Sequence, residues 1–132
     1  GRLAGMASPV AVDSPQFYVH WMLKAGARVS LPAEYQERAV YVARGFVEID
    51  GTRVDTGSMA VLRAGGSATI AAAQDSMVMA LGGEPVGQRF IDWNFVSSSK
   101  ERIAHARADW AAGRMPLPDS DNAEFTPLPA AQ

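Results

Sequence analysis

Apolar residues recur along this chain with period two in short bursts, and glycine, proline and Asx residues separate the bursts. From Gln16 to Lys24, Phe17, Val19, Trp21 and Leu23 fall on one side of a strand, and Tyr18, His20 and Met22 on the other. Bulk on both sides predicts a strand covered on each face. Ala25-Gly26 ends it. Arg28 to Leu31 repeats the pattern briefly, and Pro32, which offers no ladder donor, predicts an edge or a bend. Arg38 to Ala43 sets Ala39, Tyr41 and Ala43 against Val40 and Val42. Arg44-Gly45 turns the chain into Phe46 to Asp50. Asp50-Gly51 is a hairpin signal, since a type I′ turn needs positive φ at both central residues. Thr52 to Val54 returns, and further strands follow over Ser58 to Arg63, Ser67 to Ala72 and Ser76 to Leu81, stopped by Gly82-Gly83 and Pro85. Short strands with such turns predict an antiparallel sandwich or closed barrel.

After Gly87 the pattern changes. Gln88 to Val96 reads as one last extended segment, dense in aromatic side chains. Ser98 with Glu101 three residues later is a capping-box pattern, predicting a helix that runs to about Ala112 and stops at Gly113. Ile103, Ala106 and Trp110 share one stripe of that helix, with Glu101, His105 and Asp109 opposite. Met115 to Gln132 is a proline-rich, acidic tail in which Phe125 and Leu128 are candidate anchors. The expected organisation is a lead-in or linker over 1–15, a barrel over 16–96, and over 97–132 the helix and tail of the same domain.

Composition narrows the function classes. The chain has 132 residues, 48% hydrophobic and 20% charged, with a net charge of −2. That is a single-domain length with an ordinary globular balance. The basic residues are scattered, with no run to track phosphates, so nucleic-acid binding is not expected. No apolar run approaches the ~20 residues of a membrane helix, so no membrane partner is expected. There is no cysteine, which removes disulfides, thiolate ligands and thiol nucleophiles. The expected location is the cytoplasm. The first residues do not read as a secretory signal, and a chain beginning with glycine reads as a processed chain or as an excised piece of a longer protein.

The glycines and alternating residues of Gly26 to Gly57 resemble the first conserved block of the cupin β-barrels. In metal-binding cupins that block carries H-x-H and a glutamate. Here Pro32 and Glu34 stand at the histidine positions and Arg38 at the glutamate, with Glu37 one residue away. The histidine of the second motif falls near Ala60 or Val61. The C-terminal third narrows the likeness. Leu81-Gly-Gly-Glu84-Pro85-Val-Gly87, Ile91-Asp-Trp93-Asn94-Phe95-Val96-Ser-Ser-Ser99 and Glu101-Arg102-Ile103 resemble runs of the bacterial pirins. Asp109-Trp110, Gly113 to Leu117 and Glu124 to Pro129 continue the match, as do Glu37 to Val42 and Glu48 to Gly51 upstream. The resemblance implies an all-β fold: an antiparallel, jelly-roll-like cupin barrel followed by a C-terminal helix and an extended tail. Pirins carry two such barrels, with the metal in the first, held by three histidines and a glutamate. This chain is similar to the second barrel alone. The likeness implies quercetin dioxygenase activity for some complete relatives and transcription-cofactor roles for eukaryotic ones.

The candidate chemistry is sparse. A cupin metal site needs several imidazoles and a carboxylate converging on one ion, and the chain has two histidines, His20 and His105. His105 sits between Glu101 and Asp109 on the polar side of the helix, a solvated charge pattern. No metal or other cofactor is therefore expected here; a metal belongs to the absent first barrel. His20, mid-strand beside Trp21, reads first as a histidine hydrogen-bonded in the barrel wall. The alternative is a small-molecule pocket formed by His20, Glu34 and Glu37, where a carboxylate beside an imidazole would serve as an acid/base pair. Glu34, Glu37 and Arg38 also read as a surface ion-pair cluster. The serines at 97–99 read as helix caps, since no Gly-x-Ser-x-Gly elbow is present.

Two functions from different classes follow. In the first, the chain is a metal-free structural and interaction half, packing on another cupin barrel of a longer protein or on a homodimer mate, through an exposed apolar patch. In the second it is a small-molecule-binding or dioxygenase-type cupin, with catalysis in the first barrel.

Overall fold

The computed structural model describes Gly1–Pro129, so the final three positions of the expected tail lie outside the described residues. The chain forms two compact units, Gly1–Pro85 and the residues from Val86 onward. The first opens with a short hairpin, β1 (Arg2–Leu3) and β2 (Met6–Ala7). Eight strands follow: β3 (Gln16–Leu23), β4 (Arg28–Leu31), β5 (Glu37–Arg44), β6 (Phe46–Ile49), β7 (Thr52–Asp55), β8 (Met59–Leu62), β9 (Ala68–Ala72) and β10 (Ser76–Gly83). They build two antiparallel four-stranded sheets, sheet I in the order β3-β10-β5-β8 and sheet II in the order β4-β9-β6-β7. The chain changes sheet at nearly every connection, the jelly-roll arrangement expected from the sequence.

Period-two alternation builds the core. Phe17, Leu23, Val40, Val42, Val78 and Ala80 come from sheet I; Leu31, Val47, Ile49, Ala68, Ile70 and Ala72 come from sheet II. All are buried, and seven of them, Leu31, Val40, Val42, Val47, Ile70, Val78 and Ala80, have no exposed surface. Small β-branched and aliphatic residues let the sheets approach closely, so the interior is filled with side chains.

The strands run close to their expected bounds, and the differences are instructive. β10 does not stop at Leu81. It continues through Gly82, opposite Phe17 and Arg38, to Gly83, opposite Gln16. A Cβ on Gly82 would lie 2.1 Å from the Glu37 carbonyl oxygen and 2.7 Å from the Phe17 ring. These glycines permit close packing inside a strand, where the sequence suggests a stop. The Asp50-Gly51 turn has φ of 47° and 81°, as a type I′ hairpin requires. Within the expected lead-in segment, Leu3 is buried in the barrel core. Ala4 and Gly5, at φ 50° and 77°, turn its hairpin, a turn signal weaker than Asn-Gly or Asp-Gly.

The second unit is a small aromatic assembly. Gln88 to Val96 is a hairpin rather than one extended segment: β11 (Phe90–Asp92) pairs with β12 (Phe95–Ser97). Trp93 turns it with φ of 54°, a strained value for a bulky residue, and its ring contacts Phe95 at 5.7 Å and Trp110 at 5.8 Å. Helix α1 (Lys100–Ala111) is capped by Ser99, one residue later than expected, whose Oγ accepts from the Arg102 N–H at 3.2 Å. Ser99 Oγ also donates to Glu101 at 2.6 Å, and this bond holds the Glu101 carboxyl below its ordinary range. Trp110 closes the unit. Its indole N–H donates to the Thr126 carbonyl at 2.9 Å, and its ring centroid lies 6.0 Å from that of Phe125, which stays 59% exposed.

Candidate functional site

The end of the barrel formed by the loops after β4 and β8 is where the cupin block would place its chemistry. Arg38 faces inward from β5 and is 2% exposed. Its guanidinium donates to the carbonyls of Pro32 at 3.0 Å, Arg63 at 2.8 Å and Gly66 at 2.7 Å, with a longer contact of 3.5 Å to Leu31. One side chain thus ties the loop after β4 to the loop after β8. The partners named are all main-chain oxygens, so carbonyl dipoles rather than a counter-ion face the charge. Nε is buried without a hydrogen-bond partner among the described residues. Arg38 is therefore no member of a surface ion-pair cluster: strand parity turns it inward, opposite to Glu37.

The N-terminal hairpin adds to the same end. Glu34 accepts from the Ala4 N–H at 3.1 and 3.3 Å through its two carboxylate oxygens, and Tyr35 donates its hydroxyl to the Arg2 carbonyl at 2.9 Å. The Tyr35 ring packs 5.3 Å from Phe17. Glu34 thus has a structural task, holding the turn that delivers Leu3 to the core. Beside it an open groove of about 440 Å³ runs between the N-terminal segment and the barrel, lined by Arg2, Ser8, Val10, Asp13, Gln16 and Tyr35 among others. None of His20, Glu34 and Glu37 lines it.

The three nominated residues do not converge. His20 and Glu37 are exposed on the outer side of sheet I. His20 pairs with Met79, which pairs with Tyr41 on β5, four residues along from Glu37. Two strands across and four residues along is a separation of ~16 Å. Glu34 lies in the loop before β5 on the hairpin just described. Among the described residues no three His, Cys, Asp or Glu side chains gather closely enough to hold a metal ion. At the motif positions a proline, a carboxylate engaged with main chain and a buried guanidinium do not fit a cation; Arg38 brings its own positive charge to that end.

The outer face of sheet I is the more distinctive surface. Its first row is Tyr18, Leu81, Ala39 and Val61; its second is His20, Met79, Tyr41 and Met59; Met22 and Met77 begin the third. Tyr18 is 66% exposed, Met22 74% and Val61 80%. Bulk on both sides of β3 predicted a strand covered on each face; here the outer side is open. The signal was present in the alternation of β3, β5, β8 and β10, but only the strand order gathers those residues into one surface.

The comparisons agree with this architecture. The Pirin C-terminal cupin domain matches residues 18–116. A pirin-like protein of Caulobacter vibrioides is 57% identical over 129 residues, covering 98% of this chain and 45% of that protein. A putative quercetin 2,3-dioxygenase of Vibrio cholerae is 33% identical over 101 residues, covering 75% of this chain and 36% of that protein. The crystal structure of a quercetin 2,3-dioxygenase from Acinetobacter baumannii superposes with a TM-score of 0.84 at 22% identity, over all of this chain and 46% of that one. The chain thus spans less than half the length of these relatives. With a family match over most of its length and a barrel of the expected topology, the chain belongs to the pirin family, as a C-terminal cupin domain.

Proposed function

We propose that this domain is the metal-free structural and interaction half of a pirin-like protein, docking through the outer face of sheet I onto a second β-barrel. That barrel is the other half of a longer chain or, where there is none, another copy of this domain. The observation that carries the proposal is the cluster of apolar side chains on the outer side of sheet I. Tyr18, Leu81, Ala39 and Val61 form one row, Met79, Tyr41 and Met59 stand beside His20 in the next, and Met22 with Met77 lie in a third that Arg44 ends. Strands ~4.8 Å apart and outward rows ~6.7 Å apart, with two rows of four positions and a third of two, make a face of about 300 Å² in projection. The largest apolar patch on a monomer is commonly a few hundred Å² and is often functional, which supports this face as the interaction surface. The packed core side chains and the buried Arg38 that ties one end of the barrel support the same reading. In relatives named as quercetin dioxygenases, this reading gives the corresponding half no reacting group, and dioxygen chemistry belongs to the rest of the chain.

Sedimentation velocity on the chain tests the proposal. Reversible self-association is expected, and Met59→Lys with Val61→Lys should weaken it by about 100-fold or more. Both positions are exposed on edge strand β8, where lysine is tolerated without loss of fold. A chain that stays monomeric at high concentration, or a lysine variant that associates as the parent does, overturns the proposal.

A further inference from the structure

Four of the six methionines, Met22, Met59, Met77 and Met79, stand on the outer face of sheet I. Exposed strand positions ordinarily favour β-branched and aromatic residues, so this concentration asks for a reason. Adaptable packing is one reason. Register supplies another. β10 and β3 set Met77 opposite Met22 and Met79 opposite His20, in consecutive outward rows. Directly opposed residues have Cβ atoms ~5 Å apart, and outward rows repeat every ~6.7 Å. The Cβ atoms of three methionines and one histidine therefore mark the corners of a rectangle whose centre lies ~4 Å from each. These side chains are long and flexible enough to meet above that centre.

We propose that the outer face of sheet I carries a binding site for a soft monovalent cation, Cu(I), with His20, Met22, Met77 and Met79 as ligands. The donor set selects the ion. Thioether sulfur and neutral imidazole suit Cu(I), whereas magnesium and calcium need oxygen ligands, and zinc sites are built from thiolate, imidazole and carboxylate. From β5, Tyr41 opposes Met79 and Arg44 opposes Met77, so these two residues flank the site on that side. The site lies on the outside of the barrel and shares nothing with the Arg38-tied end. A docked partner would cover it, so metal and partner exclude one another on this face.

The test uses the Met59→Lys, Val61→Lys chain, whose face is open whether or not the docking proposal holds. Cu(I) is titrated anaerobically against a chromophoric chelator. One Cu(I) per chain is expected, with the methyl resonances of Met22, Met77 and Met79 shifting while those of Met6 and Met115 stay. Met79→Leu and Met22→Leu should each weaken binding tenfold or more, and Met6→Leu should leave it unchanged. Failure to withdraw Cu(I) from the chelator, or leucine variants that bind as the parent does, overturns the site. Leucine keeps the apolar volume, so in the native background Met79→Leu should retain self-association; the two proposals therefore fail separately.

Discussion

The two sheets share a core and differ on the sides that face away from it. Sheet II alternates as a half-buried antiparallel sheet should: Val29, Leu31, Val47, Ile49, Ala68 and Ile70 point inward, while Arg28, Ser30, Glu48, Arg53, Asp55 and Thr69 point outward. Its outer face is dressed for water. Arg53 lies 3.7 Å above the Phe46 ring and pairs with Asp55 at 2.8 Å, shielding the one large apolar ring there. Sheet I keeps the same inward rule through Phe17, Val40, Val42 and Val78, then places tyrosines, methionines and Val61 on the other side. Folding of one barrel explains the inner faces of both sheets and the outer face of sheet II. It does not explain the outer face of sheet I, which is why that face carries the functional proposal.

If the inner faces are equivalent, truncating either should cost alike. Phe17→Ala in sheet I and Ile70→Ala in sheet II should each lower unfolding free energy by about 3–4 kcal/mol, read from denaturant midpoints at unchanged slope. A much smaller loss on one side would mean the two sheets do not share one core.

Next in size is the end of the barrel. Arg38→Met fills similar space but leaves the Pro32, Arg63 and Gly66 carbonyls without their donor. A loss of about 2–3 kcal/mol is expected, since buried acceptors left unpaired cost ~1–3 kcal/mol. Hydrogen exchange should rise in the loops 32–36 and 63–67 and stay constant in the β6–β7 hairpin. An unchanged midpoint would show that the guanidinium's own desolvation offsets its bonds.

These substitutions also mark how far the sequence could be read. Alternation fixed the strands and their inward residues, because burial on one face is a period-two property visible in each strand alone. The Asp50-Gly51 hairpin was legible because its residues match the φ values the turn needs. Arg38 was not legible as a buried group: its parity with Val40 and Val42 pointed inward, but charge argued for the surface, and the carbonyls that receive it come from two distant loops. Leu3 was hidden for a similar reason, since a two-residue strand has no period. His20, Glu34 and Glu37 were grouped by chemistry, yet their separation follows from strand order, which no single segment encodes.

The outer faces themselves give the sharpest contrast. Two lysines at positions 59 and 61 of sheet I should weaken self-association by 100-fold or more, about 2.7 kcal/mol by the usual affinity conversion. Two lysines on the outer face of sheet II, Ser30→Lys with Thr69→Lys, should leave it unchanged. Both variants should keep the parent's unfolding midpoint within about 0.5 kcal/mol. Equal weakening by the two pairs would mean that net charge, and not the apolar face, governs association.

The smallest effect concerns how sheet I is closed at the opposite end. Lys24, just past β3, donates to Asp75 at 2.7 Å, and the Ala25 N–H donates to the other carboxylate oxygen at 3.0 Å, tying the turn before β10 to the strand beside it. The Lys24 hydrogen bond first, and the Ala25 N–H second, hold the Asp75 carboxyl below its ordinary value. A folded-state pKa below the unfolded one stabilises the fold above the unfolded value, and that contribution disappears as pH falls through the folded value. Stability should therefore show a shallow decline on the acid side of the carboxylate range, and Asp75→Asn should flatten that part of the profile while leaving self-association alone. The group is exposed and its partner lysine more so, so salt should shrink the difference between the two profiles. A pH profile that Asp75→Asn does not alter would show that the backbone turn, without the ion pair, is enough to set β10 against β3.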